Sequence, residues 1–365
     1  MSSMWGSNLK ISIFGESHGE AIGVVLDGLP AGEKINFDEI NIQMRRRRPG
    51  SGSLVTSRKE TDVPHVVSGI FEGKTTGTPL CAIINNENAY SKDYEKNRFL
   101  PRPGHADFTA HVKYKGFEDF RGGGHFSGRL TAPMVFAGAV CRQILETKGI
   151  TIGSHIASIG DVFDEKFNPV DIPCDVLNCL AKRSFPVLNE EIRKNMEEKI
   201  LKVKSRKDSI GGVIECAVTG VPCGIGDPIF DNKISSLIFA IPGVKGVEFG
   251  GGFELSKKCG SVSNDNFMVE NEIIKTATNN SGGILGGISS GMPIIFRVAF
   301  KPTPSIAKEQ VTVNLKSGLA EKISIKGRHD PCIVHRAAAV VTACTAAAAK
   351  AELAGGQGDV IADDQ

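Results

Sequence analysis

Apolar and polar positions change over twice within "LKISIFGESHGEAIGVVLDG" (9–28), which predicts two short strands around a polar turn. "INFDEINIQMRRRRPG" (35–50) predicts a helix: Asn36 caps it, Asp38 and Glu39 occupy its first turn, arginines fill its last, and Pro49-Gly50 ends it. "HVVSGIFEG" and "PLCAIINN" read as strands, and "LTAPMVFAGAVCRQILETKG" as an apolar helix. "NEEIRKNMEEKILKVKSRKD" is an amphipathic, exposed helix. "GGVIECAVTGV" predicts a strand, "DNKISSLIFAIPG" a helix and "GMPIIFRVAFK" a strand. "PCIVHRAAAVVTACTAAAAKAEL" is a long alanine-rich helix. Strands often follow one another directly, which points to α+β with antiparallel sheets rather than a doubly wound parallel sheet. No repeat and no linker composition interrupts the chain. One domain over 1–353 is expected, with 354–365 a disordered tail.

Composition narrows the function classes. Of 365 residues, 41% are apolar and 23% charged, with a net charge of +2. A core is affordable at this length, and any cationic function must come from local clustering. Nine cysteines without a CxxC pair form neither a disulfide framework nor a zinc pattern, so a reducing cytoplasm is expected. Cys81, Cys216 and Cys344 lie in apolar runs and read as small core residues. The start, "MSSMWGSNLK", has no apolar signal region, and no segment approaches 18 uninterrupted apolar residues, so no membrane partner is expected. The 42 glycines gather in "RGGGHFSG", "VKGVEFGGGF" and "SGGILGGISSG". Each cluster alone suits turns and tight packing. All three beside polar motifs favour ligand contact.

Four polar stretches interrupt apolar segments: "GESHG" (15–19), "RPGHADFT" (102–109), "RGGGHFSGR" (121–129) and "KGRHDPC" (326–332). Each holds a histidine, and together they supply residue types used for proton transfer: Ser17, His18, His105, Ser127, His329 and Asp330. The third stretch opens the apolar helix, whose N-terminus favours an anion there. It is neither a P-loop nor a dinucleotide fingerprint. No metal signature is present, and a Ser-His-Asp triad stays open by residue type, although no G-x-S-x-G elbow occurs. The four arginines of "MRRRRPG" allow a nucleic-acid reading, against which stand the +2 charge and 6% aromatic content.

The ordered set "FGESHG", "RRRPG", "RPGHADFT", "FRGGG", "DSIGG", "VKGVEFG", "SGGILGGISSG", "KPTPSI" and "KGRHDPC" resembles the bacterial-type chorismate synthases over nearly the whole chain. The resemblance implies a β-α-β sandwich, with helices between antiparallel sheets, and a homotetramer. It implies a lyase that removes phosphate from 5-enolpyruvylshikimate 3-phosphate by anti-1,4-elimination to give chorismate. That reaction closes the common shikimate route to the aromatic amino acids. It needs reduced FMN without net redox change, and NADPH would serve as an indirect reductant. By the same matching, His18 neutralises the leaving phosphate and His105 stands beside the flavin. Ser17, Ser127 and Asp330 support them. FMN would contact His125, Phe126, Ser127, Pro242, Gly243, Gly286, Lys301, Pro302, Thr303, Pro304, Ser305 and Arg328. Arg47 would meet NADP. The remaining cations, Arg48, Arg129 and Arg336, would hold the substrate's phosphate and carboxylates, for which arginine's planar donors suit. Two departures stand out. His125 and Phe126 replace an arginine and a serine usual in the family, and Ser53 replaces an arginine assigned there to NADP. A flavin oxidoreductase with net hydride transfer is the competing enzyme class.

Overall fold

The computed structural model describes residues 3–49, 54, 60–87, 95, 97–226, 229–325 and 329–355. Two five-stranded sheets carry the architecture, each antiparallel throughout. The first contains β1 (Met4–Trp5), β2 (Lys10–Gly15), β3 (Ala21–Asp27), β4 (His65–Ser68) and β5 (Leu80–Asn85), in the order β1-β2-β3-β5-β4. The second contains β6 (Thr151–Ile159), β7 (Val162–Phe163), β8 (Gly212–Thr219), β9 (Val244–Phe249) and β10 (Ile294–Phe300), in the order β9-β10-β8-β6-β7. The polar turn expected between the first two strands is residues 16–20, and β2 and β3 pair from Lys10↔Asp27 to Gly15↔Ile22.

Between the sheets lie the apolar helix and the long alanine-rich helix expected from the sequence. These are α3 (Thr131–Glu146) and α7 (Val334–Gly355), which pack on each other, α3 also touching the first sheet and α7 the second. A helix sandwiched by sheets has no solvent face, so its apolar residues need no stripe. Alanine lets the axes approach: a Cβ on Gly138 of α3 would lie 2.2 Å from the Ala343 carbonyl oxygen of α7. By length and hydropathy α7 would pass as a membrane span, yet nearly all of it is buried in the protein.

The outer helices follow their caps. The Asn36 side chain accepts from the Asp38 amide at the head of α1 (Phe37–Arg47). Asn189 does the same with Glu191 for α5 (Glu190–Ser205), where only Met196 and Ile200 are buried. Short α2 (Asp107–Lys113) and α4 (Cys174–Leu180) accompany them with α6 (Phe230–Phe239). The expected α+β sandwich is therefore present. All nine cysteines are free, and Cys216 and Cys344 are core residues, whereas Cys81 is only half-buried. The tail expected to be disordered lies, beyond Gly355, outside the described residues.

Candidate functional site

The triglycine loop is the hinge of the site. Gly122, Gly123 and Gly124 all have positive φ (61°, 84° and 52°), so the backbone doubles back and no side chain fills the bend. Two histidines take that space from opposite sides. A Cβ on Gly122 would lie 2.2 Å from the His18 ring, and one on Gly123 would lie 2.7 Å from the His105 ring. The Ser17 amide donates to the Gly124 carbonyl (3.1 Å), which ties the polar β2–β3 turn to the loop. Ser17 and His18 are buried one layer behind Gly122.

On the open side of the loop is a cavity of about 600 Å³. Its wall carries six cations, Arg47, Arg102, Arg129, Lys245, Lys301 and Arg336, against two carboxylates, Glu60 and Asp330. The arginines are fixed by acids or carbonyls. Arg47 donates to Asp62 (2.9 Å), to Thr131 and to the Gly128 carbonyl. Arg129 also bonds Asp62, with Asn86 and the Asn85 carbonyl. Asp62 is buried with φ of 51°, a conformation uncommon outside glycine. Burial works against its charge, yet the two guanidiniums hold its carboxyl below the usual range. Burial brings Arg47 down to about 10, with Asp62 opposing and the neighbouring Arg336 and Arg129 adding. Arg336 donates to Asp330 (2.5 Å) and to the Arg47 carbonyl.

His105 is held by Asp107 (2.6 Å), itself gripped by Arg102 through two donors at 2.7 Å. Burial, with Arg102 and Lys301 adding, keeps His105 below its ordinary value although Asp107 pulls the other way. His329 lines the same cavity with a buried Nε2 that has no hydrogen-bond partner among the described residues. Burial, and after it Arg102, pushes His329 down to about 4. Lys301 donates to the Gly104 carbonyl, and burial with nearby Lys245 lowers it. Residues Pro302 to Ser305 form a stiff edge, anchored where Thr303 donates to the Asp330 carbonyl (2.8 Å) and Ser209 to the Thr303 carbonyl (2.7 Å).

Most expected site residues meet here: His105, Phe126, Ser127, Arg129, Pro242, Gly243, Lys301 to Ser305, Asp330, Arg47 and Arg336 line the cavity, and Ser17 and His18 back it. Three do not. Arg48, the cap past the end of α1, leaves the wall and donates to the Thr61 carbonyl. Gly286 is exposed at the tip of a hairpin, with nothing within 4 Å of an added Cβ. His125 faces the other way: its Nδ1 lies 2.9 Å from the Gly15 carbonyl, and the residue lines a second cavity of about 550 Å³. Phe126 borders both spaces. Arg328 and Ser53 lie outside the described residues. Arg102, Lys245, Glu60 and Asp62 are additions. Arg102 stands inside the "RPGHADFT" stretch and was legible as a cation beside a histidine, whereas Asp62 carries no sequence signal.

The arginine run is not a phosphate-gripping strip. Arg45 is exposed, Arg46 caps the Leu180 and Arg183 carbonyls past α4, Arg47 enters the cavity and Arg48 binds Thr61. In the other two glycine clusters Gly250 abuts Asn280 and Gly282, and Gly283 abuts Pro293, through backbone, while Gly251 and Gly252 lie against the Leu255 and Glu248 side chains. Of the three clusters, the first lines the cavity with Gly122 and Gly128, and the second reaches it through Val244 and Lys245.

A family model for chorismate synthase matches residues 9–353. A chorismate synthase of Dehalococcoides mccartyi is 47% identical over 352 residues, covering 94% of each chain. One from Methanobrevibacter smithii is 44% identical over 349 residues, covering 95% of this chain and 94% of its own. A crystal structure of a chorismate synthase aligns with a TM-score of 0.74 at 28% identity, over 96% of this chain and 92% of that one.

Proposed function

The chain belongs to the chorismate synthase family, a family of lyases, and on that premise we propose that it eliminates phosphate from 5-enolpyruvylshikimate 3-phosphate to give chorismate in the 600 Å³ cavity. The observation that carries this reading is the wall of six cations beside His105 and His18. The substrate brings one phosphate and two carboxylates, and FMN brings a second phosphate. A wall with two carboxylates of its own suits a ligand pair of that charge. The volume falls in the range of ordinary small-molecule sites. The residues present fit a flavin as well: the turn from Ile241 to Gly243 and the edge from Pro302 to Ser305 offer backbone groups, and the buried Nε2 of His329 lacks a hydrogen-bond partner among the described residues.

Reduced FMN, when bound, supplies electron density to the substrate and takes it back, so the elimination is redox-neutral overall. The protein's own part is orientation and charge. Arg129, Arg47 and Arg336 cannot swing, because each is tied to protein acceptors, so they present a preorganised field to the departing phosphate. Arg47 makes three protein bonds in this way and serves as wall charge, and NADPH in this scheme is the indirect source of reductant. His18, across the side-chain-free Gly122, donates the proton that phosphate needs on leaving. His105 presents Nε2 to the flavin side, and Ser127 and Asp330 hold Arg129 and Arg336 in place.

We place the reaction in the cytoplasm, supported by nine free cysteines, in one domain over 1–353. A homotetramer is supported by the exposed apolar hairpin around Phe267, Val269 and Ile274. The test is an anaerobic assay with dithionite-reduced FMN and enolpyruvylshikimate phosphate. Chorismate and phosphate should appear in equal amounts without stoichiometric NADPH consumption. Product that tracks NADPH one for one would instead identify an oxidoreductase.

A further inference from the structure

The geometry points to Asp107, clamped by Arg102, as a positioning residue that fixes the tautomer of His105 and leaves Nε2 as the ring atom that exchanges a proton with the cavity. This deepens the reading of His105 as part of the elimination site and rests on it. The turn at Pro103-Gly104 folds the chain back so that the His105 amide donates to the Arg102 carbonyl (3.1 Å). Asp107 then faces both residues. Its Oδ2 accepts from the Arg102 amide (3.0 Å) and Nε (2.7 Å), and its Oδ1 accepts from the second guanidinium nitrogen, Nη2 (2.7 Å). Ser305 Oγ accepts from Nη1 at 3.0 Å. Four bonds therefore hold the pair still before any ligand arrives.

His105 Nδ1 lies 2.6 Å from Oδ1 and 3.2 Å from Arg102 Nη2. An ionised carboxylate only accepts, and a guanidinium only donates. A bare Nδ1 at 2.6 Å would set two lone pairs against each other, so the carboxylate favours the hydrogen on Nδ1. Arg102 Nη2 gives one of its two hydrogens to the same carboxylate and faces Nδ1 from the longer distance of 3.2 Å with the other. The opposite edge of the ring, Cε1 and Nε2, lies against Gly123, where a Cβ would come within 2.7 and 3.0 Å of those atoms. The glycine keeps that edge accessible. Asp107, Arg102 and Lys301 are the charged groups that act on His105, and only Asp107 favours its protonated form. Neutral His105 accepts at Nε2 and its protonated form donates there, so a single atom serves both directions.

Asp107→Asn removes the charge and keeps one oxygen, which the Arg102 amide and Nε claim, so donors of the new NH2 and of Arg102 Nη2 face Nδ1. The ring should then move to the Nε2-protonated tautomer. Solid-state 15N spectra of the full chain, labelled at histidine nitrogen and assigned by difference with His105→Gln, read the tautomer without substrate or flavin. At pH 8 the parent should show Nδ1 protonated and Nε2 bare. Asp107→Asn should reverse the two and lower kcat roughly 10²-fold. Asp107→Glu, which keeps the charge, should hold the parental tautomer. An Nε2-protonated ring in the parent overturns the inference, and so does an unchanged tautomer in Asp107→Asn. A parent with the expected tautomer but no elimination activity would sink the functional reading and leave the positioning role standing.

Discussion

Two glycine-rich regions look alike in sequence and do different jobs. In "RGGGHFSG" the missing side chains make room for side chains: His18 presses on Gly122 and His105 on Gly123. In "VKGVEFGGGF" and "SGGILGGISSG" the tight contacts of Gly250, Gly282 and Gly283 are with backbone, although Gly251 and Gly252 lie against the Leu255 and Glu248 side chains: Gly250 meets the Asn280 carbonyl, and the Gly251 amide donates to that same oxygen (2.7 Å). Asp265 fastens this second region by accepting from the Asn280 and Ser281 amides and from Thr278. What separates the two is the partner. A glycine facing a titratable ring serves chemistry, and a glycine facing a carbonyl serves packing. Composition cannot tell them apart, because the partner is distant in sequence.

The largest effect that sharpens this contrast is at His18. His18→Ala should lower turnover by about 10²–10⁴-fold, the range of a general acid, with the thermal midpoint little changed. Turnover close to the parent's in a folded variant would remove His18 from the chemistry and turn the first cluster into packing as well. On the other side, Gly282→Ala sets a Cβ 2.4 Å from the Gly250 amide nitrogen at a φ of 70°. It should cost about 1–3 kcal/mol of stability from backbone strain alone, read by denaturant melts, while each folded molecule keeps its turnover. A variant as stable as the parent would mean the second region is looser than it looks.

Smaller effects test the residues that the cavity leaves out. Gly286→Ala has open space around it but a φ of 60°. It should cost about 1 kcal/mol or less and leave FMN affinity unaltered; a large loss of affinity would bring the hairpin tip back to the flavin. Smallest of all is His125→Arg. Since His125 turns toward Gly15 and the second cavity, reduced-FMN dissociation constants measured from about pH 6 to 8.5, across the ordinary histidine range, should run parallel for variant and parent. Divergent curves would show that His125 reaches the flavin.

Much of the fold was legible because its signals are local and periodic. The Asn36 cap, the two strands around the polar turn, and the apolar and alanine-rich helices all appear as read. The site was legible where a motif carries both the reactive group and its support, as in "RPGHAD", which contains Arg102, His105 and Asp107 together. It was not legible in irregular loops, where no period assigns a direction. His125 and Phe126 are neighbours, yet only Phe126 borders the main cavity, and the 3₁₀ turns around them follow from glycine geometry that residue types alone do not encode. Asp62 was invisible for another reason: its role depends on two arginines 15 and 67 positions away. The run of four arginines shows the converse, since Arg45, Arg46 and Arg47 stand at successive 100° steps of a helix and Arg48 falls past its end, so identical residues point apart.

The most direct test of the central claim, that the triglycine bend is shaped by the histidines it separates, is Gly122→Ala measured for turnover and stability in the same preparation. An added Cβ falls 2.2 Å from the His18 ring and 3.2 Å from Ser17 Oγ, while the contact is with side chains rather than backbone. The expected result is a fall in turnover of at least roughly 10²-fold, as for loss of the acid, with a stability loss no greater than that of Gly282→Ala. Parental turnover with a collapsed melting temperature would contradict it, placing Gly122 with the packing glycines and His18 outside the chemistry.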